Sequence, residues 1–396
     1  MTRRIAIILN PVAGRAKANR HREKLERLLE ETANRLSQPN SAYWSITETS
    51  EPGEAERLAK GAASYGFEVV AAAGGDGTLS EVLNGVMGTP AKLGVIPLGT
   101  GNDFARCIGI GKDISLAIET LFLGESKLID IGRAVFAQEG EFDATSNSSD
   151  TLFSGEEANL ANPFKISEPK RVRFFDGELE SGQGVIKTET EMETDIEEER
   201  SPRISRKIFT PLEPLLPLET SEYKHPSTKR FFLNISGCGI DAEVAERVNI
   251  GYRFLSGTST YLAALMQSLF RYRATALTLT LDGVERQERA MFCCIANATS
   301  YGGGMRVTPD ALIDDGFFDI CLLKEAGRLE FLRAFPLVYA GKHKSHPKVE
   351  MLRARHVIVQ SEPPLPVLID GEVIGSTPVE FEIVPSAIEF IFPSLN

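Results

Sequence analysis

A glycine-rich run at residues 74–85, GGDGTLSEVLNG, is the feature that most restricts the fold of this chain. It follows an apolar, strand-like segment at 67–73, and the residues after it have the spacing of a helix. Gly74, Gly75 and Gly77 can adopt the conformations of a tight turn and let a ligand approach the backbone without a Cβ in the way. Backbone amides at the start of a helix bind anions. The run therefore predicts a phosphate site between a strand and a helix.

Asp76 stands among these glycines. A second negative charge would repel a bare phosphate, so this carboxylate fits only if a cation or a hydroxyl lies close. We interpret Asp76 as part of a magnesium network. The alternative is an ordinary glycine-rich turn in which Asp76 caps a helix at 79–86.

A second stretch at 94–106, GVIPLGTGNDFAR, repeats the same design. An apolar strand leads into a glycine-rich turn that contains Thr100, and Asn102 and Asp103 lie at the start of a predicted helix. Two such turns at the ends of neighbouring parallel strands form one crevice, which is where open α/β sheets bind ligands.

A third turn, NPVAG at 10–14, follows a strand-like segment at 3–9. We expect it to face the same phosphates. The alternative is a proline turn that only ends the first strand. The turn precedes an amphipathic basic helix, whose apolar side carries Leu25, Leu28, Leu29 and Leu36.

Strand and helix patterns alternate in the first part of the chain, which indicates a parallel sheet covered by helices. The predicted strands are 3–9, 43–47, 67–73 and 94–97, and the predicted helices are 17–36, 53–65, 79–86 and 114–123.

The later part is β-rich and contains turns such as LDGV and IDGE. Its predicted strands are 231–236, 276–281, 291–299, 317–323, 356–360, 366–369, 379–383 and 387–392, with helices at 260–271 and 329–340.

Residues 138–227 hold most of the excess negative charge. They contain 20 acidic and 10 basic residues, whereas the rest of the chain has 35 acidic and 33 basic residues. Clusters of serine, threonine and proline and an acidic run at 189–200 lack periodicity, which is typical of a largely disordered insertion. A small hairpin at 171–187 is the alternative. If this segment lies near a membrane-facing surface, it should weaken binding to anionic lipid.

Composition narrows the function classes. A chain of 396 residues can form two domains with separate cores. No apolar run reaches the ~18 to 20 residues of a membrane span, and the N-terminus lacks the features of a signal peptide, so we expect a cytoplasmic protein. The five cysteines have neither C-x-x-C nor metal-ligand spacing, so buried reduced thiols are expected and zinc is not.

The three turns, in this order, resemble the catalytic domain of the diacylglycerol kinase family, which also includes sphingosine and ceramide kinases and bacterial lipid kinases. YGGGMRVTPDALIDDGFFDI at 301–320, HPKV at 346–349 and IDGE at 369–372 are similar to the C-terminal signatures of the soluble bacterial diacylglycerol kinases. The resemblance implies a Rossmann-like nucleotide domain of the NAD kinase/diacylglycerol kinase type, a C-terminal β-sandwich domain and an active site in the cleft between them. It also implies an ATP- and Mg²⁺-dependent kinase that phosphorylates a lipid hydroxyl.

The same resemblance implies the nucleotide contacts. No GxxxxGK[ST] sequence is present, so glycine-turn amides and hydroxyls must hold the phosphates. The expected ATP-contacting residues are Asn10, Pro11, Val12, Ala13, Gly14, Thr49, Gly75, Asp76, Gly77, Thr78, Leu79, Ser80, Glu81 and Thr100.

For catalysis the resemblance assigns Glu372 as the base that takes the acceptor proton. The alternative interpretation of Glu372 is an ordinary charged residue in a surface hairpin turn. Asp315 is the implied magnesium ligand, completed by the backbone carbonyls of Leu312 and Phe317. Asp76 and Asp103 would extend that network through water. The alternative for Asp314 and Asp315 is an ordinary turn before Gly316.

The implied organisation is an ATP-binding domain at 1–131 and a lipid-substrate domain at 132–137 and 228–396. A return of the last segment to the first domain is left open. Diacylglycerol is the first expected acceptor, and other lipids with a surface hydroxyl stay open. Apolar residues at 252–270 could line a lipid cleft or form plain core. Peripheral membrane contact is expected, nucleic acid is not, and a homodimer is left open. The rival functions are an NAD kinase, a nucleotide-binding sensor and a structural interaction protein.

Overall fold

In the computed structural model, the described residues are 3–15, 18–35, 42–136, 229–251, 267–269 and 272–394. The acidic segment at 138–227, the hairpin at 171–187 and most of the helix at 260–271 lie outside these residues, so those predictions stay predictions.

The first domain alternates parallel strands and helices, as the sequence predicts. Its sheet has the order β2-β1-β3-β4, and all neighbours in it are parallel. Its elements are β1 (Arg3–Leu9), α1 (Ala18–Arg35), β2 (Ala42–Glu48), α2 (Glu54–Ser64), β3 (Val69–Gly74), α3 (Asp76–Val86), β4 (Lys92–Pro97), α4 (Asp103–Cys107) and α5 (Ile114–Leu123).

The apolar side of α1 packs on this sheet. Leu25 and Leu29 are completely buried and Leu28 is half-buried against the same core, which confirms the predicted helical face. Burial of a leucine side chain stabilises a fold by about 1.5 to 3 kcal/mol. Leu36 lies outside the described residues.

The second domain is a β-sandwich built mainly from antiparallel strands. Its elements are β5 (Glu125–Phe136), β6 (Lys229–Phe232), β7 (Ile235–Gly239), α6 (Ile240–Gly251), β8 (Thr275–Leu281), β9 (Val284–Ala296), β10 (Phe318–Lys324), α7 (Arg328–Tyr339), β11 (Val349–Ala354), β12 (His356–Glu362), β13 (Pro366–Ile369), β14 (Glu372–Ser376) and β15 (Val379–Phe392). The predicted two-domain α/β fold is thereby confirmed.

Some predicted boundaries were wrong. The strand predicted at 231–236 is two strands, because the chain turns at Leu233 and Asn234, where the Asp370 carboxylate accepts both backbone N–H groups. The strands predicted at 379–383 and 387–392 are one strand, β15, with an irregularity after Val384. The Ser386 N–H donates to Asp130 there at 2.8 Å. Local patterns did not predict α6, β11 and β14.

Two long strands, β5 and β15, run through both domains side by side. Ile131 of β5 lies in the first core and Ala134 lies in the second. Phe390 of β15 returns to the first core and pairs in parallel with Leu93 of β4. The boundary drawn at residue 131 thus falls within a continuous strand.

None of the helices among the described residues is both long and apolar enough to cross a membrane.

Candidate active site

The three glycine-rich turns meet at the carboxyl ends of β1, β3 and β4. A β-carbon on Gly99 would lie 2.4 Å from the Gly75 Cα, so these two turns touch. A β-carbon on Gly14 would lie 2.4 Å from the Leu98 carbonyl oxygen. A residue with a β-carbon does not fit at Gly14 or Gly99 without displacing backbone. The sequence prediction that the turns form one crevice is confirmed.

The first turn of α3 lines this crevice with Asp76, Gly77 and Thr78. Its N-cap, Gly75, has no side chain with which to cap the helix. The first amides of a helix have no partners inside it, and with the helix dipole they attract anions. Asn10 braces the neighbouring turn: its Nδ2 donates to Thr78 Oγ1 and its Oδ1 accepts the Val12 N–H, both at 3.1 Å. The crevice can therefore hold a polyphosphate.

Two carboxylates lie beside the crevice: Asp103, which is buried, and Asp76, which is half-buried. Asp76 Oδ1 accepts the backbone N–H of Asp103 at 2.8 Å and of Phe104 at 3.3 Å. Asp103 Oδ2 accepts the Gly303 N–H of the second domain at 2.8 Å. Burial first, and then the charge of Asp103, raise the pKa of Asp76. Arg106 pairs with Asp103 Oδ1 at 3.2 Å and balances one of the two negative charges. The other negative charge, beside a like charge, favours a bound cation or a shared proton.

Glu372 reaches the crevice from the second domain. It begins β14 directly after the turn at Asp370 and Gly371, both of which have positive φ angles. A β-carbon on Gly77 would lie 3.0 Å from Glu372 Oε1, so the carboxylate lies against the first turn of α3. Burial and the charge of Glu372 raise the pKa of Glu81 in the same wall. A carboxylate at this place can take a proton from a hydroxyl bound in the cleft.

Asp370 holds the hairpin that carries Glu372. Its carboxylate accepts the backbone N–H groups of Leu233, Asn234 and Ile235 at 2.9, 2.9 and 3.2 Å. Burial raises the pKa of Asp370 to about 6, although these hydrogen bonds oppose the shift. Sequence reasoning quoted the IDGE motif and missed this role of its aspartate.

The hairpin between β8 and β9 has the same turn in a different setting. Asp282 and Gly283 also have positive φ angles, and Asp282 accepts the backbone N–H groups of Arg355 and His356 at 2.9 Å. The residues that follow this turn, Val284 and Glu285, are exposed. The two hairpins therefore share the same Asp-Gly turn. Of these two, only the hairpin that carries Glu372 lies against the glycine turns.

One continuous cleft of about 1610 Å³ joins the crevice to an apolar chamber in the second domain. The chamber is lined by Ile240, Val244, Ala245, Phe292, Met305, Val307, Leu323, Phe331, Ala334, Phe335, Val338 and Val349. Pockets for a single small ligand usually measure about 300 to 1,000 Å³, so this cleft has room for two ligands end to end.

Most of the predicted ATP-contacting residues line this cleft: Asn10, Pro11, Val12, Ala13, Gly14, Thr49, Gly75, Asp76, Gly77, Thr78, Glu81 and Thr100. Leu79 and Ser80 do not line it. Leu79 packs in the first core, and Ser80 is buried in α3. Only the backbone of these two residues could contact a ligand.

The predicted magnesium ligands Leu312, Asp315 and Phe317 lie in one loop before β10 and do not line the cleft. Asp315 accepts the Phe317 N–H at 3.1 Å and forms an ion pair with Arg353. Leu312 is 57 % exposed. A metal ion on Asp315 would compete with Arg353 for the carboxylate. The structure brings Asp76 and Asp103, rather than Asp315, to the wall of the cleft.

Within the described part of the chain, no group of three or more His, Cys, Asp or Glu side chains is arranged to hold a metal ion. Mg²⁺ is usually bound through one or two carboxylates, with water and substrate phosphates as its other ligands. Asp76 and Asp103 beside the phosphate-facing turns fit that donor set, because their carboxylates lie close together: a β-carbon on Gly101 would lie 2.8 Å from Asp76 Oδ2 and 3.3 Å from Asp103 Oδ2.

Three further residues of the cleft were missed by sequence reasoning. Lys112 is the only lysine or arginine among the described residues that line it. Asp241 lies in the first turn of α6, at the junction with the apolar chamber, and its buried Oδ1 has no hydrogen-bond partner among the described residues. Tyr301 Oη lies 3.5 Å from Asp241 Oδ2. Burial raises the pKa of Asp241 to about 7.

Residues 4–134 match the model of the diacylglycerol kinase catalytic domain. Residues 234–392 match the model of the YegS C-terminal NAD kinase beta sandwich-like domain. The chain belongs to the diacylglycerol kinase catalytic domain family. The first match ends within β5, and the second begins just after β6. These two strands flank the acidic segment of this family member.

This diacylglycerol kinase family member is 26% identical over 395 residues to the protein named diacylglycerol kinase from Bacillus subtilis (strain 168), covering 99% of this chain and 97% of that one. It is 24% identical to the diacylglycerol kinase of Staphylococcus carnosus (strain TM300), with coverage of 99% and 96%. A solved diacylglycerol kinase structure from Bacillus anthracis str. Sterne has the same fold, at a TM-score of 0.57, 18% identity and coverage of 99% and 97%. A second solved chain from that organism has a TM-score of 0.62 at 18% identity, with coverage of 99% and 95%. The family models and the Bacillus subtilis and Staphylococcus carnosus relatives support a lipid kinase, and the solved structures show the shared fold.

Proposed function

We propose that this protein transfers the γ-phosphoryl group of ATP to a lipid hydroxyl, with diacylglycerol as the first acceptor and phosphatidic acid as the product. The observation that carries the proposal is the continuous cleft, which has a phosphate-binding crevice at one end and an apolar chamber at the other. Glu372 and the Asp76–Asp103 pair lie on the walls of this cleft. A nucleotide and a lipid bound end to end would meet beside these carboxylates.

Phosphoryl transfer depends on position and on charge stabilisation more than on covalent chemistry. The amides of the first turn of α3 and the turn at Asn10 would hold the phosphates, and Lys112 would add a positive charge. A bound Mg²⁺ ion would supply neutralisation of the phosphate oxygens. Asp76 and Asp103 are the residues of this chain that would hold it.

Glu372 would take the proton of the acceptor hydroxyl while the hydroxyl oxygen forms the bond to the γ-phosphorus. The bond to the leaving ADP oxygen breaks in the same displacement. Asp370 would act as a positioning residue, because its three hydrogen bonds fix the turn from which Glu372 extends.

The chamber favours a lipid acceptor over NAD. Its walls are mainly aliphatic and aromatic side chains, such as Val244, Phe335 and Val338, which suit acyl chains. Asp241 lies where the apolar chamber meets the polar crevice, and one of its oxygens has no hydrogen-bond partner in the part of the chain that the structure describes. We expect that oxygen to hydrogen-bond the glycerol backbone of the acceptor, because a buried polar atom without a partner costs about 1 to 3 kcal/mol.

The test is transfer of radiolabelled γ-phosphate from ATP, with magnesium, to a panel of acceptors in mixed micelles: diacylglycerol, monoacylglycerol, sphingosine, phosphatidylglycerol and, as a soluble acceptor, NAD. Wild-type protein should label diacylglycerol. Glu372→Gln keeps the shape of the side chain and removes the base, so it should lower the transfer rate by about 10² to 10⁴ while ATP still binds.

Glu285→Gln, in the hairpin with the same DG turn, is the matched control and should leave transfer unchanged. Labelling of NAD with no labelled lipid would replace the proposal with a soluble-acceptor kinase. If ATP binds and no acceptor is labelled, either the acceptor is missing from the panel or the protein is a nucleotide-binding sensor.

A further inference from the structure

Helix α7 (Arg328–Tyr339) is one wall of the apolar chamber. Phe331, Ala334, Phe335 and Val338 line the cleft, and their spacing of three and four residues places them on one face of the helix. Phe331 also packs in a small core with residues of α6 and β9. The inner face of α7 therefore forms part of the chamber wall.

Helix α7 also reaches the catalytic end of the cleft. Its last residue, Tyr339, lines the cleft, and burial and the charge of Asp103 raise the pKa of its hydroxyl. Twelve residues of helix span about 18 Å, so α7 runs along the chamber towards the carboxylates.

The end of α7 is fixed by a Schellman motif. The Gly341 N–H donates to the Val338 carbonyl at 3.0 Å, and the Lys342 N–H donates to the Leu337 carbonyl at 2.9 Å. Gly341 takes the positive φ angle, 65°, that this motif requires. Lys342 and the residues after it are therefore held close to the last turn of the helix.

The outer face of α7 is apolar and basic. Leu329, Arg333 and Leu337 follow one another at intervals of four residues, and the two leucines are 70% and 39% exposed. No carboxylate among the described residues forms an ion pair with Arg333 or Lys342. The segment from residue 328 to residue 348 contains five Lys or Arg residues and one Glu in a chain of net charge −12.

The acidic groups around this face are few and engaged. Glu330 faces His346 across 3.6 Å, and Asp310 pairs with Lys344 at 2.5 Å. A third lysine beyond the helix, Lys348, is also exposed. The face as a whole remains positively charged.

We propose that this outer face, made of Leu329, Arg333, Leu337, Lys342, Lys344 and Lys348, docks on an anionic lipid bilayer. Leucines flanked by lysine and arginine are the composition that binds the headgroup boundary of such a surface. Continuity with the chamber selects a bilayer over a protein partner: the opposite face of the same helix lines the chamber that would receive a lipid. This inference rests on the proposed lipid kinase function.

The experiment is sedimentation of the full chain with vesicles of phosphatidylcholine or of equimolar phosphatidylcholine and phosphatidylglycerol. The wild type should bind the anionic vesicles, and binding should fall with added salt. Leu329→Ser with Leu337→Ser, and separately Arg333→Glu with Lys342→Glu, should each lower that binding at least ~tenfold. Val284→Ser and Lys60→Glu, at an exposed apolar and an exposed basic position elsewhere, should not.

Phosphoryl transfer to a lipid acceptor in detergent micelles distinguishes the proposed docking face from the proposed kinase function. If the docking variants lose vesicle binding and keep micelle activity, the assignment of this face holds. Equal vesicle binding by wild type and both variant pairs overturns it. So does a dimer of the wild type that these substitutions dissociate, since the face would then bind a second copy. If the wild type phosphorylates no lipid in micelles, the proposed function fails instead. The vesicle-binding measurements still test whether the outer face of α7 docks on a bilayer.

Discussion

The Glu372 carboxylate lies against Gly77: a β-carbon on Gly77 would be 3.0 Å from Glu372 Oε1. The two residues belong to different domains, so this contact joins the glycine turns to the second domain at the point where a phosphate and a hydroxyl would meet. A substitution at Gly77 can change catalysis without lowering stability, because Gly77 belongs to a regular helix, α3.

Gly77→Ala should therefore displace the Glu372 side chain without harming the fold. We expect the transfer rate to fall about tenfold or more, because the base is moved from its place. Alanine has a higher helix propensity, so the free energy of unfolding should stay equal or rise by up to ~1 kcal/mol. Kinetics in mixed micelles at saturating ATP measure the first effect, since Gly77 also lines the nucleotide crevice. Chemical denaturation measures the second.

The control for this change is Gly85→Ala in the same helix. A β-carbon there would lie 2.2 Å from the Glu56 carbonyl oxygen, far from Glu372. It should lower stability and leave the turnover of the folded protein unchanged. A full rate in Gly77→Ala would contradict the catalytic placement of Glu372.

Asp370→Asn should reduce both stability and turnover. An amide presents one acceptor oxygen where the carboxylate receives three N–H groups, so we expect a loss of about 1 to 3 kcal/mol. Because the turn also positions Glu372, kcat should fall at least about tenfold with the Kd for ATP unchanged. Asp282→Asn makes the same change in the other DG hairpin and should affect stability alone. Equal kcat values in the two variants would argue against a positioning role.

Asp241 should make stability depend on pH. Its pKa is about 7 in the folded protein, against about 3.9 for an unperturbed aspartate, because burial disfavours the charged form. The folded state therefore binds the proton more tightly, and this contribution to stability is complete below about pH 4 and lost as the pH rises through about 7. Asp241→Asn should gain about 1 to 2 kcal/mol over wild type at about pH 8 and little at about pH 4. Denaturation at several pH values checks this, and a gain that is independent of pH would contradict it.

Deletion of the acidic segment should leave the fold intact. β5 and β6 are antiparallel neighbours, with Val135 paired to Lys229, so the described strands on either side of the segment lie side by side. Replacing residues 138–227 with Asn-Gly should permit a tight hairpin. We expect unchanged micelle activity and stronger binding to anionic vesicles, because 20 acidic residues are removed against 10 basic ones. Unchanged vesicle binding would show that the segment does not oppose the membrane.

The crevice was predictable because its cause is local in sequence. Apolar strands that end in glycine turns belong to a parallel sheet, and the carboxyl ends of neighbouring strands bring those turns together. Asp76 and Asp103 could be named for the same reason. The pattern does not reveal that Gly303, some 200 residues later, donates its N–H to Asp103.

The rest of the site depends on tertiary contacts that leave no local signal. DG turns occur at both 282–283 and 370–371, with the same backbone conformation, and composition cannot tell which one faces the glycine turns. Only the family resemblance singled out Glu372. Asp241 looks like an ordinary helix-start residue, and its importance comes from burial next to the chamber. The break before Asn234 and the continuity of β15 likewise depend on distant carboxylates, those of Asp370 and Asp130.

The most direct test of the account is to fill the chamber and measure transfer from ATP to diacylglycerol in mixed micelles. Ala334 lines the chamber, away from the nucleotide crevice, so Ala334→Trp should occupy the space of an acyl chain. We predict that wild type labels diacylglycerol, and that Ala334→Trp binds ATP with unchanged affinity and loses most of that labelling. If the filled chamber leaves lipid phosphorylation intact, or if wild type labels no lipid, a single cleft that holds both nucleotide and lipid is contradicted.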